Sequence, residues 1–178
     1  MRITISGSPG TGTTSLGKAI ADKYNLKYHS AGESFRQMAV NYKMDLKSFC
    51  NFAKNNQEID RKIDGNLKEI GKSTDNIVIE GRLAGWMVKN ADLKISLYAS
   101  PECRAIRISN RENQSVDDAY TSIIEREKNE SSRYMEFYNI NITDTSPYDI
   151  SINTEKFNLD DVISICDSVI KLILKQQK

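Results

Sequence analysis

The residues best suited to chemistry come first in the chain. Gly7-Ser8-Pro9-Gly10-Thr11-Gly12-Thr13-Thr14-Ser15 matches the phosphate-loop pattern G-x-x-x-x-G-K-[ST] at Gly7, Gly12 and Thr14, with Thr13 where the pattern has lysine. Glycines let the backbone turn its N–H groups inward, and the start of a following helix adds a fixed positive potential. Such a loop is built to hold a polyphosphate, here read as that of ATP, with every residue from Gly7 to Ser15 in the contact. Thr14 is placed to give its hydroxyl to a magnesium ion. The change at Thr13 removes one point charge from the β/γ-phosphates and leaves the rest of the device intact. Lys18, one helical turn past Thr14, could supply part of that charge but reads better as a solvated surface residue.

The second set of residues is arginines. Of nine in the chain, five lie between Arg104 and Arg133, while Lys128 is the only lysine from Ile95 to Glu155. A solvated helix face has no reason to prefer one cation so sharply. A site that grips phosphate oxygens does, because guanidinium is always charged and offers a planar fork of donors. Arg107 and Arg111 share a helix face, as do Arg126 and Arg133. These four are read as phosphate contacts, the competing reading being surface ion pairs with Glu112, Glu125, Glu127 and Glu130. For Arg104 the ion-pair reading is preferred.

Elements must position both sets. Short β-rich runs occur at 2–6, 26–29, 76–80, 93–99 and 148–153, and stretches with helical spacing lie between them. Strands alternating with helices imply right-handed crossovers, hence a parallel sheet covered on both faces. The expected fold class is α/β: three α/β/α layers around a parallel five-stranded sheet. Asn158 is a candidate N-cap for the last helix, and Ser115 opens another that runs to about Tyr138. The polar stretch from Asn41 to Lys72 reads as one or two helices standing off the sheet, or as an ordinary two-helix crossover. Trp86 and His29 read as packing residues.

Composition sets the outer bounds. At 178 residues the chain fits one domain, spanning 1–178, and a net charge of +1 argues against bulk electrostatic binding to nucleic acid or membrane. No apolar run approaches the ~20 residues of a membrane helix. Cys50, Cys103 and Cys166 form no CxxC pair, so a reducing cytoplasm is the expected compartment.

Two further motifs complete the pattern. Ser30-Ala31-Gly32-Glu33-Ser34-Phe35-Arg36 follows the second strand, and the third ends in Glu80-Gly81-Arg82-Leu83-Ala84-Gly85-Trp86. Together with the phosphate loop, the Arg107/Arg111 pair and R-E-x-x-E-x-x-R from Arg126 to Arg133, nearly the whole chain resembles the nucleoside monophosphate kinases, most closely the archaeal type of cytidylate kinase. The resemblance implies a P-loop kinase with a helical acceptor-binding insertion at about 36–72 and a lid at about 107–130. It implies that Arg36 and Arg82 hold the acceptor phosphate, in a segment that includes Ser30 and Gly32, and that Glu80 reaches magnesium through water. A capping carboxylate is the other reading of Glu80. Glu130 matches an acid that contacts the acceptor nucleoside. Leu83 departs from bacterial cytidylate kinases, which carry Asp there, so base and sugar contacts do not transfer from that branch.

The expected reaction is therefore transfer of the γ-phosphoryl of MgATP to CMP, and to dCMP, by a monomeric enzyme. Arg36, Arg82, Arg107, Arg111, Arg126 and Arg133 would carry the charge stabilisation. Two alternatives stand beside it: the same chemistry on AMP, UMP or a small alcohol, and a non-catalytic ATP-dependent switch or RNA-processing factor.

Overall fold

The computed structural model describes residues 1–54 and 56–176. Five strands, β1 (Arg2–Gly7), β2 (Lys27–Ser30), β3 (Ile77–Glu80), β4 (Leu93–Tyr98) and β5 (Ile150–Asn153), form one sheet in the order β2-β3-β1-β4-β5. Every pairing is parallel. These are the five strands expected from sequence, and the parallel arrangement follows from the helices between them, since each crossover must return the chain to the same edge.

Both faces of the sheet are covered. On one, Leu16, Ile20 and Ala21 of α1 (Thr13–Tyr24) and Val162, Cys166 and Ile170 of α8 (Leu159–Gln176) pack on Ile3, Ile5, Val78 and Ile95. On the other, Ile77, Ile79, Leu83, Ala84 and Met87 meet Leu67 of α4 (Gln57–Ser73) and Tyr134 of α7 (Val116–Tyr138). Ile3, Ile5 and Ile79 are fully buried, each worth ~2 kcal/mol of transfer energy. Trp86, in the short α5 (Ala84–Met87), packs half-buried against the second cluster, and His29 is half-buried in β2. Burial depresses the His29 pKa, which suits a packing role.

Two helical units stand off this frame. α2 (Ala31–Asn41), α3 (Leu46–Lys54) and the start of α4 close around their own small core of Ala39, Phe49, Ala53 and Ile59, with the Phe35 ring tilted against Phe49 at a centroid distance of 4.8 Å. The stretch from Asn41 to Lys72 thus holds two helices, as read. α6 (Pro101–Glu112) and α7 form an antiparallel hairpin joined through Asn113, at φ 54°, and packed through Ala105, Ile108, Ala119 and Ile123.

Helix starts follow from hydroxyl and amide caps. Ser30, Ser100 and Ser115 accept from the backbone N–H of Glu33, Cys103 and Asp118 to open α2, α6 and α7. Asn158 and Asp161 cap each other reciprocally at the start of α8. α1 differs: its N-cap is Gly12, with no side-chain cap and no acid in the first turn. Among the described residues no helix is long and apolar enough to cross a membrane.

Candidate functional site

The strand register brings the C-terminal ends of β1, β2 and β3 together, pairing Ile5 and Ser30 with Glu80 and Gly7 with Leu97. Ligands of open α/β sheets bind at this edge. The phosphate loop leaves it at Gly7, where an added Cβ would come within 2.5 Å of Thr11 Oγ1 and 2.7 Å of the Leu97 carbonyl. Gly10 and Gly12 hold φ of 87° and 92°, a region closed to most side chains. The uncapped N–H groups at the start of α1 are thus left for a ligand. Thr11 is 1% exposed and donates to the Ser8 carbonyl at 2.7 Å, so its side chain supports the loop and does not face outward.

Thr13, at the lysine position, donates its hydroxyl to Glu80 Oε1 at 2.8 Å. Glu80 Oε2 accepts from Ser30 at 2.6 Å and from Tyr28 at 3.1 Å. A carboxylate with two oxygens has about four acceptor sites, so three hydroxyl partners leave room for one more. The Ser30 hydroxyl is doubly used, donating to Glu80 and capping α2. Thr14, in the first turn of α1, is half-buried, and its side chain makes no hydrogen bond among the described residues. Thr14 and Glu80 offer only oxygen donors, a set that would suit magnesium, which prefers hard donors and keeps several waters. Lys18 pairs with Glu33 at 3.1 Å and lies over the Tyr28 ring, away from that mouth.

The arginines divide by their partners. Arg82, just past β3, donates Nη1 to Ser8 Oγ at 2.7 Å, and its Nε lies 3.2 Å from Glu130. Arg126 pairs with the other oxygen of Glu130 at 2.7 Å and is half-exposed. Arg133 faces Asp60 of α4 at 3.2 Å. Arg36, exposed on α2, makes no ion pair among the described residues and extends over Gly32. Arg107 is spent on the frame, donating to the carbonyls of Gly10 and Thr154 at 3.2 and 2.6 Å and to the Thr154 hydroxyl. Arg111 is exposed and pairs with its neighbour Glu112, at the far end of α6 from the loop.

Arg104 corrects the expectation of an ordinary surface ion pair. It is 3% exposed and sits beneath the phosphate loop, donating to Ala99 and Pro9 carbonyls and to Glu127 Oε2 at 3.0 Å. Its position one turn before Arg107 on the same helix was the available signal. Burial by itself would raise the Glu127 carboxyl, but hydrogen bonds from Ser8 and Arg104, with the charges of Arg104 and Arg82, hold it below its usual value.

Two features had no reading in the sequence. Thr154, Phe157, Asn158 and Leu159 line a cleft of about 250 Å³ beside Gly10, Gly12 and Arg107. Thr154 follows β5 directly, at the sheet edge where ligands of open α/β sheets bind. Asp60 and Asp64, one turn apart on α4, are nearly buried against Arg133 and Tyr138. Burial, opposed by Tyr138 and reinforced by Asp60, pushes the Asp64 carboxyl up to about 6.

A glycine turn between β1 and α1, with Arg82 bonded to Ser8 at its outer side, has the form of a P-loop phosphate site. A shikimate kinase from Bacteroides thetaiotaomicron shares this fold at a TM-score of 0.66, with 16% identity over 96% of this chain and 98% of its own. The model of the cytidylate kinase-like family matches residues 2–156, and the chain belongs to that family. It is 53% identical to a cytidylate kinase of Methanocorpusculum labreanum over 99% of this chain and 100% of the relative. A cytidylate kinase of Methanoculleus marisnigri is 49% identical over 99% and 98%.

Proposed function

We propose that this enzyme is a nucleoside monophosphate kinase that transfers the γ-phosphoryl of ATP to CMP, and to dCMP, giving ADP and the diphosphate. The observation that carries the reading is the 2.7 Å bond between Arg82 and Ser8, which sets an acceptor-side guanidinium directly against the donor loop. Two anions brought that close repel one another, and fixed positive charge between them is what the reaction requires.

The loop amides and the start of α1 cradle the donor phosphates. The cleft between Arg107 and Phe157 takes the donor base, with the guanidinium already oriented by Gly10 and Thr154. Thr14 and, through water, Glu80 would hold magnesium, which would supply positive charge to the donor phosphates. Arg36 and Arg82 orient the acceptor phosphate for in-line attack. Arg126 and Arg133 exchange carboxylate partners for phosphate oxygens as the α6–α7 hairpin, the lid, closes; Arg111 at its tip comes in with that motion. The helices of about 36–72 form the acceptor-binding wall, and Glu130 meets the acceptor nucleoside. No general base is needed, because a nucleotide phosphate is largely dianionic at pH 7. Chemistry on free nucleotides supports a cytoplasmic setting, and the family supports a monomer.

The test is ADP release with ATP and magnesium across CMP, dCMP, UMP and AMP. CMP and dCMP should turn over with kcat/KM at least tenfold above the others. Faster turnover of UMP or AMP would move the reading to that acceptor, and no turnover with any would favour a switch.

A further inference from the structure

Glu127 has no part in the chemistry above, although it stands in the R-E-x-x-E-x-x-R segment between two arginines read as nucleotide contacts. Its two oxygens divide their partners. Oε1 accepts from Ser8 Oγ at 2.5 Å, and Oε2 accepts from Arg104 Nη2 at 3.0 Å. Ser8 Oγ accepts in turn from Arg82 Nη1 at 2.7 Å. One carboxylate on α7 therefore reaches the donor loop twice: from outside through Ser8, and from beneath through Arg104, whose Nη1 lies 3.4 Å from the Pro9 carbonyl.

We propose that Glu127 is a positioning residue that ties the donor loop to Arg82, so that the guanidinium meeting the acceptor phosphate is aimed before the acceptor arrives. The inference rests on the proposed function, since it takes Arg82 as the acceptor-phosphate contact. Distances decide between this and the opposite role, a carboxylate that occupies Arg82 and must be displaced. Arg82 has five N–H donors. Nε faces Glu130 at 3.2 Å and Nη1 is committed to Ser8. Nη2 stands 3.6 Å from Glu127, too far for a hydrogen bond, so its donors are not consumed. Glu127 gives its short contacts to Ser8 and Arg104 and acts on Arg82 through the Ser8 hydroxyl. Its charge is also held in place independently of any ligand. Arg104 is 3% exposed, and a guanidinium so desolvated requires a carboxylate beside it. That fixed demand anchors Glu127, and through it the orientation of Ser8.

The test is calorimetric titration of CMP into wild type, Glu127→Gln, Ser8→Ala and the double variant. Glu127→Gln keeps the shape and an acceptor oxygen while removing the charge. Each single change should weaken CMP at least tenfold, and the double should be no more than twofold weaker than the worse single, because both act through one guanidinium. The loss in CMP affinity should also exceed the rise in KM for ATP, whereas general loosening would raise both and lower Tm. CMP binding that is unchanged or tighter in Glu127→Gln, or losses that multiply in the double variant, would overturn the proposal. Should Glu127→Gln fail to fold, Ser8→Ala carries the test alone, since it cuts the link and spares the Arg104–Glu127 pair. Wild type that does not bind CMP at all would defeat the proposed function instead, which keeps the two failures apart.

Discussion

The donor and acceptor halves of this site are made of different material. The donor half is backbone: glycines at positive φ, a helix start without a side-chain cap, and carbonyls braced by Arg104 and Arg107. The half proposed for the acceptor is side chain: Arg82, just past β3, and Arg126 and Arg133 of α7 are each matched to a carboxylate, Glu130 or Asp60. A backbone cradle is ready whenever the fold is formed. A side-chain site made of ion pairs has to exchange partners on binding, so it can be selective but depends on neighbours that hold each group in place.

The sharpest test of that contrast is Arg82→Ala. It should lower kcat/KM for CMP about 10³-fold, or ~4 kcal/mol of transition-state stabilisation, while the KM for ATP moves only a few-fold. Equal losses for both substrates in steady-state kinetics would erase the division. On the donor side, Gly10→Ala places a Cβ at φ 87° and 2.9 Å from Arg104 Cβ. Strain of about 1–2 kcal/mol plus the clash should raise the KM for ATP about tenfold or more and lower Tm by several degrees. An unaltered KM for ATP would show that the loop can relax around the added carbon.

A smaller effect concerns the cost of keeping acids in the acceptor wall. Asp64 retains its proton to about 6 when folded, against 3.8 for the ordinary side chain, so ionisation weakens the fold as pH rises through that window. Stability from this group is complete below 3.8 and lost above 6. Asp64→Asn, which does not ionise, should therefore gain Tm over wild type at pH 8 and lose that advantage by pH 4. The gain is about 3 kcal/mol at most, at ~1.4 for each tenfold in proton affinity. A difference in Tm that stays constant with pH would assign the effect to packing. Least of all should come from Thr13→Lys, whose ammonium can meet the Glu80 oxygen that Thr13 now contacts. ATP should bind no more weakly than to wild type in an equilibrium titration. A large fall in kcat there would show that the Thr13–Glu80 bond is needed for turnover.

The two halves also differ in how far the sequence discloses them. The phosphate loop is nine consecutive residues, so its glycine turn could be read directly, but its hydroxyls could not: Ser8, Thr11 and Thr13 bond to Glu127, the Ser8 carbonyl and Glu80. The five strands were equally plain, because short runs rich in β-branched and aromatic residues recur between stretches of helical spacing. Arg82 was legible through the resemblance of the Glu80-Gly81-Arg82 motif, with which its place just past a strand end agrees. The partners of the arginines were not. Asp60 meets Arg133 across 73 positions of chain and Glu127 meets Ser8 across 119, and no periodicity reports such contacts. Arg104 does pair with Glu127, one of the acids expected, but its burial was not legible: helical spacing gives a face but not what covers it, and here the cover is the loop itself. Glu127 was visible only as one of four nearby acids, with nothing local to set it apart.

The α6–α7 hairpin has a mechanical consequence. Its arms are joined by Ala105, Ile108, Ala119 and Ile123, and its base is pinned where Arg104 enters the main body beneath Pro9. Two helices packed along their length shift together, so in the proposed closure a displacement at Asn113 would reach Glu127 and Glu130 on the same α7.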